Sequence, residues 1–350
     1  MGKKIMEKKQ KIVHMALQGG GAHGAFAWGV LDKILEDGRL SIDGMCATSA
    51  GSMNAVVYAY GKMKGGREGA REALHNFWYN ISQSVGSLAP KFPPFFNDIL
   101  KKWTFNLFDA MSHVVSPYQF NPNNINIIRD VLERTVNFEE MKSCNCTKLF
   151  ISATNVRTGK VKVFDNKELS LDVVLASACL PYLFHSVKIK DEYYWDGGYI
   201  GNPAIFPLFY EGTTRDVIII HINPIVRSKL PTEASEIMNR INEITFNASL
   251  LHEFRAIAFV NKLIEEGWIK DEYQHKLRNI LMHSIRADEA LHDFDISTKF
   301  DASWVSLTNL RDLGRIEAKN WLEKNFDKIG KKSSVNLKKE ILENGDDHIG

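Results

Sequence analysis

Apolar positions along the chain alternate between strand-like runs and helical spacing, and the changes mark successive strands and helices. Ile12-Val13-His14-Met15-Ala16-Leu17 reads as a buried strand cut off by glycines. From Ala25 to about Glu36, the residues Phe26, Val30, Leu31, Ile34 and Leu35 recur at helical spacing, and Gly38 supplies a stop. A second strand, Gly44 to Thr48, leads into Ser49 and a helix rich in small residues through Tyr60. Strand, helix, strand, helix is the signature of a parallel α/β sheet. Leu149-Phe150-Ile151-Ser152-Ala153 and Val161-Lys162-Val163-Phe164 flank a turn at Thr158-Gly159, as in a hairpin. Val217 to Ile222 is almost continuously apolar, as expected of a central strand covered on both faces. Past Pro224 the character becomes helical. Thr232 is a candidate N-cap, and Ile237, Ile241, Ile244, Ala248, Leu251 and Ala258, with Phe254 in step, keep one face of a long amphipathic helix.

Composition narrows the class. The 350 residues are 44% hydrophobic and 25% charged, enough to bury a core without staples. Net charge is +2, from 44 basic against 42 acidic side chains, so no global field favours nucleic acid. No apolar run reaches the roughly 18 residues of a membrane span, and the basic run Met1 to Lys11 lacks a signal-peptide layout. The expected location is the cytoplasm, with contact at a membrane surface left open. Cys46, Cys144, Cys146 and Cys179 form no C-x-x-C pair and read as inert thiols in a reducing compartment. Residues 77–120 hold eleven aromatics where the 11% average gives about five. That segment is either a helical flap on the core or an apolar, lipid-facing rim.

Two local patterns carry chemistry. Gly19-Gly20-Gly21-Ala22-His23-Gly24 lies between a strand and a helix, where several N–H groups converge and the helix dipole favours an anion. The anion could be a nucleotide phosphate, since Gly19, Gly21 and Gly24 fit G-x-G-x-x-G, or the oxyanion of an ester-cleaving intermediate. Ala47-Thr48-Ser49-Ala50-Gly51 favours the second. It follows a strand, opens a helix and resembles the G-x-S-x-G elbow, with Ala47 in place of the first glycine. The N–H of Ala50 can assist the oxyanion donors. A serine needs a base. His221 falls in a strand and His252 in a helix, and His185 stands in no recognisable motif. Asp196-Gly197-Gly198, after the β-like run Tyr193-Tyr194-Trp195, offers a carboxylate at a tight turn.

In this order the three motifs resemble those of the patatin-like phospholipases. Supporting likenesses are Ser152-Ala153-Thr154-Asn155 with Thr158-Gly159, Ala176 to Pro181, and Gly201-Asn202-Pro203. The resemblance implies a three-layer α/β/α catalytic domain over residues 1–225 with a mainly parallel central sheet. Residues 226–350 would be a helical C-terminal extension packed on it. It also implies a Ser49–Asp196 dyad, an oxyanion hole at Gly19, Gly20 and Gly21, and hydrolysis of phospholipid or lysophospholipid esters through an acyl-serine. His23, Gly24, Ala50, Gly51, Gly197 and Gly198 would support that site, His23 standing where many members carry Arg or Lys. No metal or cofactor is implied. An acyltransferase using the same acyl-enzyme, and a non-catalytic lipid-binding protein, remain as alternatives; the oligomeric state is not legible.

Overall fold

A computed structural model describes residues 10–88, 115–143, 146–227, 229–273, 277–286 and 296–339. Eight strands form one sheet: β1 (Lys11–Leu17), β2 (Leu40–Ala47), β3 (Lys148–Asn155), β4 (Val161–Phe164), β5 (Val187–Ile189), β6 (Glu192–Asp196), β7 (Asp216–His221) and β8 (Leu281–Arg286). Their order is β5-β6-β3-β2-β1-β7-β8, with β4 paired to β3. The run from β3 through β8 is parallel, and β4, β5 and β6 add antiparallel pairs at one side.

Both faces of the central strands are covered. Val13, Met15 and Leu17 of β1 join one apolar cluster, while Ala16 between them joins another. In β7, Ile218 and Ile220 face the first cluster, with Val217 and Ile219 facing the second. This two-residue alternation on strands buried on both sides makes the fold three-layered. The first layer holds α1 (Gly24–Asp37), α2 (Ala50–Leu88), α3 (Ile127–Thr135) and α4 (Leu171–Ser177). The second is built around α5 (Ala234–Glu265) through Leu250, Phe254 and Ile257. α6 (Trp304–Asn325) returns to the first layer, against α1.

The helical character expected past residue 225 is present in α5 and α6, but that region also supplies β8 to the sheet. Gly38 ends α1 with φ 71°, the left-handed stop expected of it. α2 runs well past Tyr60, broken at Gly65 and Gly66, where φ/ψ leave the helical region.

Other expectations are corrected. The N-cap of α5 is Glu233, not Thr232; the Glu236 carboxylate accepts from the amides of both Thr232 and Glu233. Ile237, Ile241 and Ile244 are exposed, and the buried positions there are Asn239, Glu243 and Asn247. Farther along, Phe254 is buried as expected beside Leu250 and Ile257, and Leu251 and Ala258 pack on the second cluster. The buried stripe turns polar at its start because it meets strand ends whose backbone groups need partners. The Asn247 amide donates to the carbonyls of Asn223 (3.3 Å) and Pro224 (3.1 Å). Cys46 and Cys179 are buried thiols, but Cys146 is disulfide-bonded, so the four cysteines are not uniformly free. Of the aromatic segment, Phe77 and Trp78 are buried while Tyr79, Tyr118 and Phe120 are exposed. Residues 89–114, with the rest of its rings and prolines, lie outside the described residues.

Candidate active site

Ser49 sits where β2 hands over to α2, and its φ of 54° is the left-handed conformation that a β-carbon disfavours. Four bonds hold it there. Thr48 N–H donates to Leu17 O (3.2 Å) and Gly51 N–H to Thr48 O (2.8 Å). The Thr48 hydroxyl donates to Gly201 O (2.6 Å), and Ser49 N–H to Ser177 Oγ (2.9 Å). Gly51 is a spatial necessity, since a β-carbon there would lie 2.4 Å from Leu17 O and 2.8 Å from Gln18 O. Ala47 is fully buried, and its methyl coexists with the strained Ser49 backbone. Ala47→Gly is therefore expected to change turnover by less than about threefold, while costing up to about 1 kcal/mol of stability as a glycine in a strand interior. Paired esterase assays and melting curves check both numbers.

The sheet explains how Asp196 reaches Ser49 across 147 residues of sequence. Ile151 of β3 pairs with both Ala47 of β2 and Phe164 of β4, so β2 and β4 occupy opposite edges of β3. Ala153 and Thr154 pair with both β4 and β6, so β6 takes the edge β2 has just vacated. Asp196, opposite Ala153, thus continues the line that Ala47 ends, with Ser49 two residues beyond Ala47. Its amide donates to Cys179 O (2.7 Å), and its carbonyl accepts from the Thr154 hydroxyl (2.8 Å). Gly197 packs so tightly on β3 that a β-carbon would come within 2.2 Å of Ser152 O. Gly198 packs beneath Phe246 of α5.

The Asp196 side chain is fully buried. Oδ1 accepts from Gly198 N–H at 2.7 Å, whereas Oδ2 has no hydrogen-bond partner. Burial pushes the carboxyl up to about 7; the Gly198 amide and the nearby Ser49 hydroxyl oppose that rise without reversing it. A carboxyl poised near neutrality can both take and return a proton.

The glycine loop closes the other side. Gly19 packs against the serine, a β-carbon on it falling 2.5 Å from Ser49 Cβ. Its own N–H is already given to Asn202 Oδ1 (2.6 Å). The amides of Gly20, Gly21 and Ala22 have no acceptor among the described residues, nor does the amide of Ala50. His23 is buried, with Nε2 2.7 Å from Thr298 Oγ1, and burial pushes its imidazole down to about 3, so it is neutral at physiological pH. His23 thus meets the Thr298 hydroxyl as a neutral imidazole, without the charge of the Arg or Lys that many members carry there. Gly24 abuts Ala50, where a β-carbon would lie 2.7 Å from Ala50 Cβ.

Gly20, Gly21, Ser49, Ala50 and Asp196 all line one cavity of about 710 Å³. Its remaining wall is mostly apolar, with Phe77 and Trp78 from α2, Leu180 and Phe184 after α4, and Met238 and Phe246 from α5. No histidine lines it among the described residues. His185 faces elsewhere, stacked on Tyr118 at 4.1 Å with Nε2 3.1 Å from Pro117 O. Three further residues complete this neighbourhood: Ser177 lies in the family-like segment Ala176 to Pro181, while Asn223 and Lys299 carried no sequence signal. Ser177 accepts from the Ser49 amide, Asn223 donates to Gly19 O (2.7 Å), and Lys299 enters the cavity wall from the C-terminal region. No described helix is long and apolar enough to cross a membrane.

Among solved structures, VipD from Legionella pneumophila aligns with a TM-score of 0.41 and 14% identity, over 91% of this chain and 67% of that one. A chain of the complex of full-length SpcU with full-length ExoU, from the type III secretion system of Pseudomonas aeruginosa, aligns with a TM-score of 0.28 and 13% identity. That alignment spans 69% of this chain and 53% of the other. No curated protein sequence matches the chain. The family model of the patatin-like phospholipases matches residues 15–209, a stretch running from β1 through Asp196 and its glycines. With more than half its length so matched, the chain belongs to the patatin-like phospholipases, a family of lipid hydrolases.

Proposed function

We propose that the protein cleaves carboxylic esters of phospholipids or lysophospholipids through an acyl-Ser49 intermediate, with Asp196 as the base. The observation that carries this reading is the unpartnered Oδ2 of a buried Asp196 in the same cavity as Ser49. Ser49 Oγ attacks the acyl carbonyl as its proton passes to the Asp196 carboxylate. The carbonyl oxygen gains the negative charge and is met by backbone amides. Since the Gly19 amide is committed to Asn202, the donors in this reading are Gly20 and Gly21, assisted by Ala50. The tetrahedral species then expels the alkoxide, which recovers the proton from Asp196 and leaves as a free alcohol. Water repeats the sequence on the acyl-serine, giving up its proton to Asp196 and releasing the fatty acid with Ser49 restored. The apolar cavity wall suits an acyl chain.

The test is covalent labelling. A fluorophosphonate probe is expected to add one adduct, found by peptide mass spectrometry at Ser49, with no adduct in Ser49→Ala. An adduct confined to some other serine, with Ser49 untouched, would overturn the reading.

A further inference from the structure

The cavity holds a second charged group that the acyl chemistry leaves unused. Among the described residues lining it, Lys299 is the sole cationic side chain. It belongs to a 3-10 turn, Ile296–Phe300, lying directly on the glycine loop: a β-carbon at Gly21 would sit 2.4 Å from Lys299 O. Gly21 also has φ 59°, so this close approach is open to glycine alone. Lys299 lies outside the matched residues 15–209.

Among the described residues the ammonium forms no ion pair. Nζ donates to Asn223 Oδ1 at 3.1 Å, its one acceptor among the described residues, although an ammonium has three protons to place. Asn223 cannot turn away, since its own amide is bonded to Gly19 O (2.7 Å) and its backbone N–H to Gln18 Oε1 (3.1 Å). The carboxylate whose charge acts on it, the buried Glu243, is taken up elsewhere. It accepts from Arg227 Nη2 (2.6 Å) and from Arg240 Nη1 (3.1 Å). Among the described residues, Lys299 is the one of these three cations without a carboxylate at bonding distance. Burial and the Arg227 charge push the Lys299 ammonium down to about 8, Glu243 opposing, so most of it stays charged at pH 7.

We infer that Lys299, beside the Gly20 and Gly21 amides, is an anion subsite that binds the phosphodiester of a glycerophospholipid whose ester lies at Ser49. A desolvated ammonium with open donors recognises a phosphoryl oxygen. The inference rests on the reading of Ser49 as the nucleophile, and it makes the preferred substrate an anionic-phosphate lipid rather than a neutral glyceride.

Two short-chain diether lipids, a glycerophosphocholine and the same diether of glycerol, lack any ester and report binding without turnover. Calorimetry with the full chain is expected to show Lys299→Met weakening the phosphocholine ether by about tenfold and the glycerol ether by less than about twofold. Lys299→Arg retains most of the affinity. Equal weakening for both lipids, or no weakening for either, overturns the subsite. So does competition in which inorganic phosphate binds Lys299-dependently while the phosphocholine ether does not. Probe labelling of Ser49 in both the wild type and Lys299→Met, whatever its rate, shows that the nucleophile is in place in each. Failure of labelling in both proteins would count against the acyl-hydrolase reading, while the diether binding still decides the role of Lys299.

Discussion

Asp196→Asn is expected to lower kcat/KM for ester hydrolysis by about 1,000-fold or more and, at pH 8, to raise the melting temperature. Both effects come from one buried oxygen. Oδ2 is desolvated and unpartnered, so the carboxyl releases its proton only near pH 7. The asparagine keeps an oxygen for the Gly198 amide but has no base for the serine proton. Turnover by the wild type should accordingly rise with pH through about 7 as the carboxylate forms, and the variant should lack that limb.

The stability effect has a definite sign. An unfolded aspartate loses its proton near pH 4, while the folded one keeps it to about 7. Between those values the folded state holds more protons, so raising the pH works against folding, and the deficit is complete above about pH 7. That displacement corresponds to on the order of 4 kcal/mol. An amide avoids it, and recovery of half raises the melting temperature by about 3 °C at pH 8. At pH 4 the gain should vanish. Equal melting temperatures at pH 8, or undiminished turnover by the variant, would show that Asp196 is not a desolvated base.

Much of this was legible because particular residues announce themselves locally. Gly38, the Gly19–Gly24 loop and the strand–Ser49–helix turn are short-range solutions to backbone geometry, and a sequence displays them directly. Asp196 was legible as a carboxylate in a tight turn. What sequence could not show was the edge of β3 shared by β2 and β6, because strand order is set by long-range pairing. Nor could it show that Gly19 spends its amide on Asn202, since a side chain 183 residues away occupies the donor. Helical periodicity chose the wrong face for the first half of α5 for a related reason, while Phe254 in the second half is buried as expected. Ile237, Ile241 and Ile244 satisfy the pattern, yet the buried positions are Asn239, Glu243 and Asn247. Gln18 bonds Asn247 Oδ1 at 3.0 Å while accepting from the amides of Ile222 and Asn223, and that network outweighs the apolar stripe. Lys299 stands in a turn without a motif, so only the fold brings it to the cavity.

Gly29→Val and Gly314→Val are each expected to destabilise the protein by about 3 kcal/mol or more, a fall of about 4 °C or more in melting temperature. Residues past 225 read as an extension, yet α6 meets α1 backbone to backbone. A β-carbon at Gly29 would lie 1.9 Å from Arg311 O, and one at Gly314 2.1 Å from Phe26 O. The obstacles are carbonyls within helices, which cannot rotate aside as a side chain can, so the helices must separate. Phe26, Val30 and Leu310 are buried along this seam and would lose contacts together. The damage should reach the cavity, because α6 begins five residues after Lys299 and the turn before it rests on Gly21. Gly65, where a β-carbon meets nothing within 4 Å, is the control, and Gly65→Ala should melt within about 2 °C of the wild type. Unchanged melting of Gly29→Val would mean that α6 does not pack on α1 in this way. A loss of stability in both variants, with a matching loss of turnover, would make the C-terminal helix part of the unit that holds Ser49 and Asp196 in place.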